Sequence, residues 1–240
     1  MRSTTEKALP TLVLVHGAWH GAWAWDPVVP LLTEAGLSVR AVQLSGLGRG
    51  PGRHDLAGHA AFLRSELAAL DGPVTLCGHS YGGAVITEAA AGAPNVASLI
   101  YLTAFLLEAG ESCADANALT PAPADPALGP TAEGDYLHVS EAAARHLFYG
   151  GCSPEQVAAA TGRLTPEHIG TVTAPATRAA WHEIPSTYIV CARDVALSPQ
   201  AQRAMAGRAT RRAEIGSAHS PMLSHPRELT ALLTEAVRYA

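Results

Sequence analysis

The sequence predicts an α/β fold: a parallel sheet with helices on both faces and one inserted segment. Three observations carry this. Short apolar or β-branched runs alternate with helix-like stretches at both ends of the chain. The 240 residues suit one core enlarged by an insertion, since a domain takes roughly 150. The alternation stops between Phe105 and about residue 185, where Ala, Pro and Gly dominate.

Taken in order, the first strand is predicted at 11–15, Thr-Leu-Val-Leu-Val. A helix at 27–35 opens on Pro27 and stops before Gly36, and a second strand follows at 38–44. Next come a helix at 56–70, a strand at 74–77, a helix at 81–91 closed by Gly92, and a strand at 96–102. Pro121, Pro123, Pro126 and Pro130 exclude any long element early in the insertion. Its second half reads as short helices at 140–148, 153–161 and 165–171, with polar N-caps at Ser140, Ser153 and Thr165. The pattern then resumes with strands at 187–191 and 212–215 and helices at 199–205 and 226–239. Right-handed crossovers place these helices on both faces. The expected organisation is a core of residues 1–104 and 186–240 with a mostly helical cap at 105–185.

Composition narrows the function. With 16 basic and 21 acidic residues the net charge is −5, and the longest basic cluster is Arg211-Arg212, so nucleic acid and anionic membrane are not expected partners. The longest apolar stretch, 97–107, is interrupted by Ser98 and Thr103 and falls short of the ~18 residues of a spanning helix. The apolar run at 11–15 is too short for a secretory leader. Cys77, Cys113, Cys152 and Cys191 lie far apart without a C-x-x-C spacing and read as reduced thiols in a cytoplasm. The histidines show no ligand spacing such as H-E-x-x-H, so neither a metal nor a cofactor is expected.

The strongest chemical signal is Gly78-His79-Ser80-Tyr81-Gly82, a G-x-S-x-G placed after a strand and before a helix. A serine there is exposed on a strained turn, and glycines two residues to either side let the backbone pass closely. His79 reads as structural, because a residue beside the nucleophile in a tight turn points elsewhere. A serine hydroxyl needs a base and an acid that orients the base. In the order Ser, acid, His, the candidates are Asp194 after the strand at 187–191 and His219 in the loop after 212–215. Glu108 competes with Asp194, and His225, directly before Pro226, competes with His219. The loop His16-Gly17-Ala18-Trp19 can turn the backbone N–H of Ala18 toward that of Tyr81, giving two donors for an oxyanion. Trp19, Phe105 and Tyr149 are the candidate substrate-binding residues, although Trp19, Trp23 and Trp25 also suit plain packing.

Together these residues resemble the α/β-hydrolase superfamily, in the branch of plant methylesterases and hydroxynitrile lyases. The similarity runs through 14–23 (Leu-Val-His-Gly-Ala-Trp-His-Gly-Ala-Trp), the elbow 78–83, Tyr188-Ile189-Val190-Cys191 with Asp194, Ala218-His219 with Met222-Leu223, and the cap fragment Cys152-Ser153-Pro154-Glu155. The resemblance implies an α/β-hydrolase fold of about six parallel strands, the family's first two strands being absent. It also implies a triad of Ser80, Asp194 and His219 with Ala18 and Tyr81 as oxyanion donors. The lyases use a Thr in the first loop and a Lys after the catalytic His; Ala18 and Ser220 stand in those regions, which favours hydrolysis. The Pro/Ala-rich stretch 121–130 lacks the aromatic residues that the plant members carry there. The expectation is a cofactor-free serine carboxylesterase for a small to medium neutral, apolar ester, working as a monomer or homodimer. The alternatives are a lyase or a lactone- or polyketide-tailoring enzyme on the same triad, and a small-molecule binding protein without chemistry.

Overall fold

The computed structural model describes residues 9–44, 54–121, 128–130 and 134–239. Six strands form one parallel sheet: β1 (Thr11–Val15), β2 (Val39–Val42), β3 (Val74–His79), β4 (Val96–Leu102), β8 (Ser186–Cys191) and β9 (Arg211–Ile215), in the order β2-β1-β3-β4-β8-β9. Alternation along the strands divides the core in two. Val13, Val15, Leu76, Leu99, Tyr101 and Val190 face one layer. Leu12, Leu14, Cys77, Ile100, Leu102 and Ile189 face the other. Helices α2 (Leu56–Ala68), α3 (Tyr81–Ala90) and α8 (Pro199–Ala206) cover the first face with Leu63, Val85 and Met205. Helices α1 (Val29–Glu34), α9 (Pro221–Ser224) and α10 (Pro226–Arg238) cover the second with Leu32, Met222 and Leu233. A parallel sheet buried on both sides is why its strands read as nearly continuous apolar runs.

The insertion between β4 and β8 holds four short helices, α4 (Cys113–Ala116), α5 (Glu141–Phe148), α6 (Pro154–Thr161) and α7 (Gly170–Thr173). Ser140 and Ser153 cap α5 and α6, accepting from the N–H groups of Ala143 and Gln156. The insertion also contains three strands that the helical expectation passed over: β5 (Leu128–Pro130), β6 (Tyr136–Val139) and β7 (Glu167–His168), antiparallel in the order β5-β6-β7. Pro130 stands in β5, an edge strand, the position in a sheet where proline is tolerated. The helix expected at 165–171 is replaced by β7 and α7. Pairing of His168 with Tyr136 overrides the cap signal of Thr165, whose hydroxyl has no partner. Pro123 and Pro126 lie outside the described residues. Among the described residues, no helix is long and apolar enough to cross a membrane. All four cysteines are unpaired.

Candidate active site

At the junction of β3 and α3, Ser80 adopts φ 53° and ψ −122°, a conformation that an L-residue holds only under constraint. The constraint is visible. Its N–H donates to the Leu102 carbonyl at 3.3 Å, and its own carbonyl accepts from the N–H groups of Gly83 and Phe105 at 3.0 and 3.1 Å. The flanking glycines are required by close approach: a Cβ on Gly78 would run into the Gly82 carbonyl, and one on Gly82 would sit 2.5 Å from the Val15 carbonyl oxygen.

Asp194 follows β8 and His219 follows β9, and the two loops bring them together. His219 Nδ1 lies 2.7 Å from Asp194 Oδ2, with both residues 3 % exposed. The rest of the carboxylate is saturated. Oδ1 accepts from the N–H groups of Ala196 (2.8 Å) and Leu197 (3.1 Å), while Oδ2 also accepts from Thr103 Oγ1 (2.5 Å) and Gln202 Nε2 (3.4 Å). This fixes the imidazole plane and leaves Nε2 for other work. The two alternatives lie elsewhere. Glu108 is half-exposed and pairs with His182 at 2.9 Å, and His225 bonds Ser224 at the start of α10.

Ser80 and His219 line one cavity of about 560 Å³ with Ala18, Tyr81, Trp19 and Phe105. Neither the Ala18 nor the Tyr81 N–H donates to a backbone acceptor among the described residues. Tyr149 departs from expectation. It is absent from the cavity wall because its ring packs in the small core of the insertion with Phe148 and Val157, and its hydroxyl donates to His20 Nε2 at 3.0 Å. The remaining wall is mainly apolar, with Leu147, Phe148, Val172 and Leu197, and among the described residues no Asp, Glu, Lys or Arg lines it. Arg64 is turned toward the Glu88 carbonyl; Arg49 and Arg53 lie outside the described residues.

Burial suppresses the charge of three imidazoles around the site. His16 is lowered to about 4 and His20 to about 3, while His79 is held well below the ordinary value. His20 Nδ1 donates to the Ala18 carbonyl at 2.8 Å, and His79 Nε2 donates to the His219 carbonyl at 2.8 Å. His16, His20 and His79 lie within the sequence signatures 14–23 and 78–83, whereas Thr103 and Gln202 carry no motif.

A model of the alpha/beta hydrolase family matches residues 12–232. Methylesterase 7 of Arabidopsis thaliana is 32 % identical over 255 positions, covering 95 % of this chain and 96 % of that protein. Salicylic acid-binding protein 2 of Nicotiana tabacum is 29 % identical, covering 93 % and 95 %. The crystal structure of a pyrethroid hydrolase from Sphingobium faniae superimposes with a TM-score of 0.82 at 27 % identity, covering 96 % of this chain and 98 % of that one. With the elbow geometry and the six-stranded parallel sheet, these similarities show that the chain belongs to the alpha/beta hydrolase family, as a hydrolase of the carboxylesterase type.

Proposed function

We propose that the protein is a serine-dependent carboxylic ester hydrolase that works through an acyl-enzyme, with Ser80 as nucleophile, His219 as base and Asp194 as its orienting acid. The observation that supports this most is the single cavity shared by Ser80 and His219, the latter fixed by a saturated Asp194. Ser80 Oγ attacks the ester carbonyl carbon while His219 Nε2 takes the hydroxyl proton. The tetrahedral oxyanion is held by the N–H groups of Ala18 and Tyr81, the latter at the positive end of α3. Collapse breaks the bond to the alcohol, which leaves with the proton from His219. Water, deprotonated by the same Nε2, then attacks the acyl-enzyme and releases the acid and free Ser80. No cofactor enters this cycle.

The insertion, residues 105–185, serves in this reading as the cap that roofs the cavity with Phe105, Leu147 and Phe148. An uncharged, mainly apolar wall of this volume suits a small to medium neutral ester. Four unpaired cysteines suit a reducing compartment such as the cytoplasm. The test is labelling with a serine-reactive phosphonate followed by peptide mass mapping, alongside product analysis on a panel of methyl, aryl and lactone esters. Modification at Ser80 with release of acid and alcohol is expected. Labelling at another residue, or a product other than acid and alcohol, would overturn the assignment.

A further inference from the structure

Trp19 follows Ala18 in the loop after β1, and its backbone is held at φ 61°, in the left-handed region where a bulky residue does not rest by itself. Three bonds hold it, and all come from the cap. Its N–H donates to Glu167 Oε2 at 3.0 Å, its carbonyl accepts from the Thr165 N–H at 3.0 Å, and its indole Nε1 donates to the Leu137 carbonyl at 3.0 Å. Glu167 is the only side chain of the three partners that serves through its own functional group, and it is 4 % exposed. A carboxylate is rarely buried this far without a specific task.

Resting on the proposed ester hydrolysis, we infer that Glu167 is a positioning residue: from the cap sheet it fixes Trp19 and thereby aims the adjacent Ala18 N–H at the developing oxyanion. The second expected donor, Tyr81, lies in the same electrostatic neighbourhood. Its phenol is raised, first by burial and then by the nearby Glu167, and its hydroxyl meets His59 Nδ1 at 2.8 Å. A contact made 148 residues away in sequence thus sets the geometry of the oxyanion loop.

The test compares Glu167→Gln, which keeps an acceptor for Trp19, with Glu167→Met, which keeps the volume and removes the acceptor. kcat for a neutral ester is expected to fall about tenfold or more in Glu167→Met with KM unchanged, because the lost interaction belongs to the transition state. Glu167→Gln is expected to stay within about threefold of wild type. Hydrogen exchange at the Trp19 amide should quicken in Glu167→Met and not in Glu167→Gln, a readout independent of turnover. Unchanged kcat in Glu167→Met, with Ser80→Ala inactive, would overturn this inference alone. Turnover surviving in Ser80→Ala would overturn the serine reading and this inference with it.

Discussion

His79 reaches past Ser80 to His219: its Nε2 donates to the backbone carbonyl of His219 at 2.8 Å, and the two rings lie 4.8 Å apart. The elbow that strains Ser80 therefore also tethers the loop that carries His219. Burial and the neighbouring imidazoles hold His79 neutral, and the His219 carbonyl favours the tautomer with the proton on Nε2. His79 is absent from the cavity wall, so its influence on an ester passes through His219.

His79→Leu should therefore lower kcat about tenfold with little change in KM, since substrate contacts are untouched. The orphaned, buried His219 carbonyl should destabilise the fold by about 1–3 kcal/mol. Steady-state kinetics and urea denaturation check both halves. A destabilised variant with wild-type kcat would show that His79 supports packing alone.

If Ser80, Asp194 and His219 act as one unit, their losses cannot add. Ser80→Ala and His219→Ala should each lower kcat by roughly 10³–10⁶, and the double variant should lose little more. Asp194→Asn should cost on the order of 10⁴, because an amide that donates to Nδ1 imposes the wrong tautomer. Glu108→Gln should be nearly silent, since Glu108 contacts His182 rather than His219. The informative comparison is kcat of all five variants on one ester, and multiplicative losses would remove the triad.

The core was legible because its strands are buried on both faces, so apolar runs such as Thr11–Val15 and Val96–Leu102 stand out against their turns. The elbow was legible because strain and close approach restrict which residues fit, and Gly78 and Gly82 record that restriction. The three-stranded sheet of the insertion was not. Tyr136–Val139 and Glu167–His168 are too short for periodicity to speak, and they are strands only because they find each other across about 30 residues. Tyr149 misled for a related reason: an aromatic in a cap serves equally well in its small core, and only the packing around Ala144 and Val157 decides. Supporting groups such as Thr103, Gln202 and Glu167 act through single long-range hydrogen bonds, for which sequence has no local signature.

Glu167 also ties stability to pH. Burial raises its carboxyl from 4.5 to about 7, outweighing the donated N–H group of Trp19. Below pH 4.5 the folded and unfolded chains both hold this proton. Between 4.5 and 7 the unfolded chain releases it while the folded one retains it, so stability falls as pH rises and stays lower above 7. The shift corresponds to roughly 3 kcal/mol, which Glu167→Gln does not lose. Urea denaturation at pH 5 and pH 8 should therefore show Glu167→Gln gaining on wild type by up to about that amount at the higher pH. A difference independent of pH would mean that the carboxyl is ionised throughout this range.

The cavity wall decides which ester can react. Leu147, Val172, Val195 and Leu197 contribute only hydrocarbon, and among the described residues no basic side chain lines the wall to receive an anionic acyl group. A carboxylate carried into it would lose water and gain no bidentate partner. Neutral aliphatic or aromatic esters should therefore exceed monoesters of dicarboxylic acids of equal length by about 100-fold or more in kcat/KM. Along a neutral series, each methylene that fits should add up to about 0.8 kcal/mol, close to a fourfold gain, until the volume of about 560 Å³ fills and the trend reverses. Leu147→Ala should move that reversal to acyl chains longer by one or two carbons, because it opens the wall without touching Ser80 or His219. Competition assays with a neutral ester and its dicarboxylate analogue read this directly. Equal turnover of the two would mean that a charge finds a partner not present on this wall.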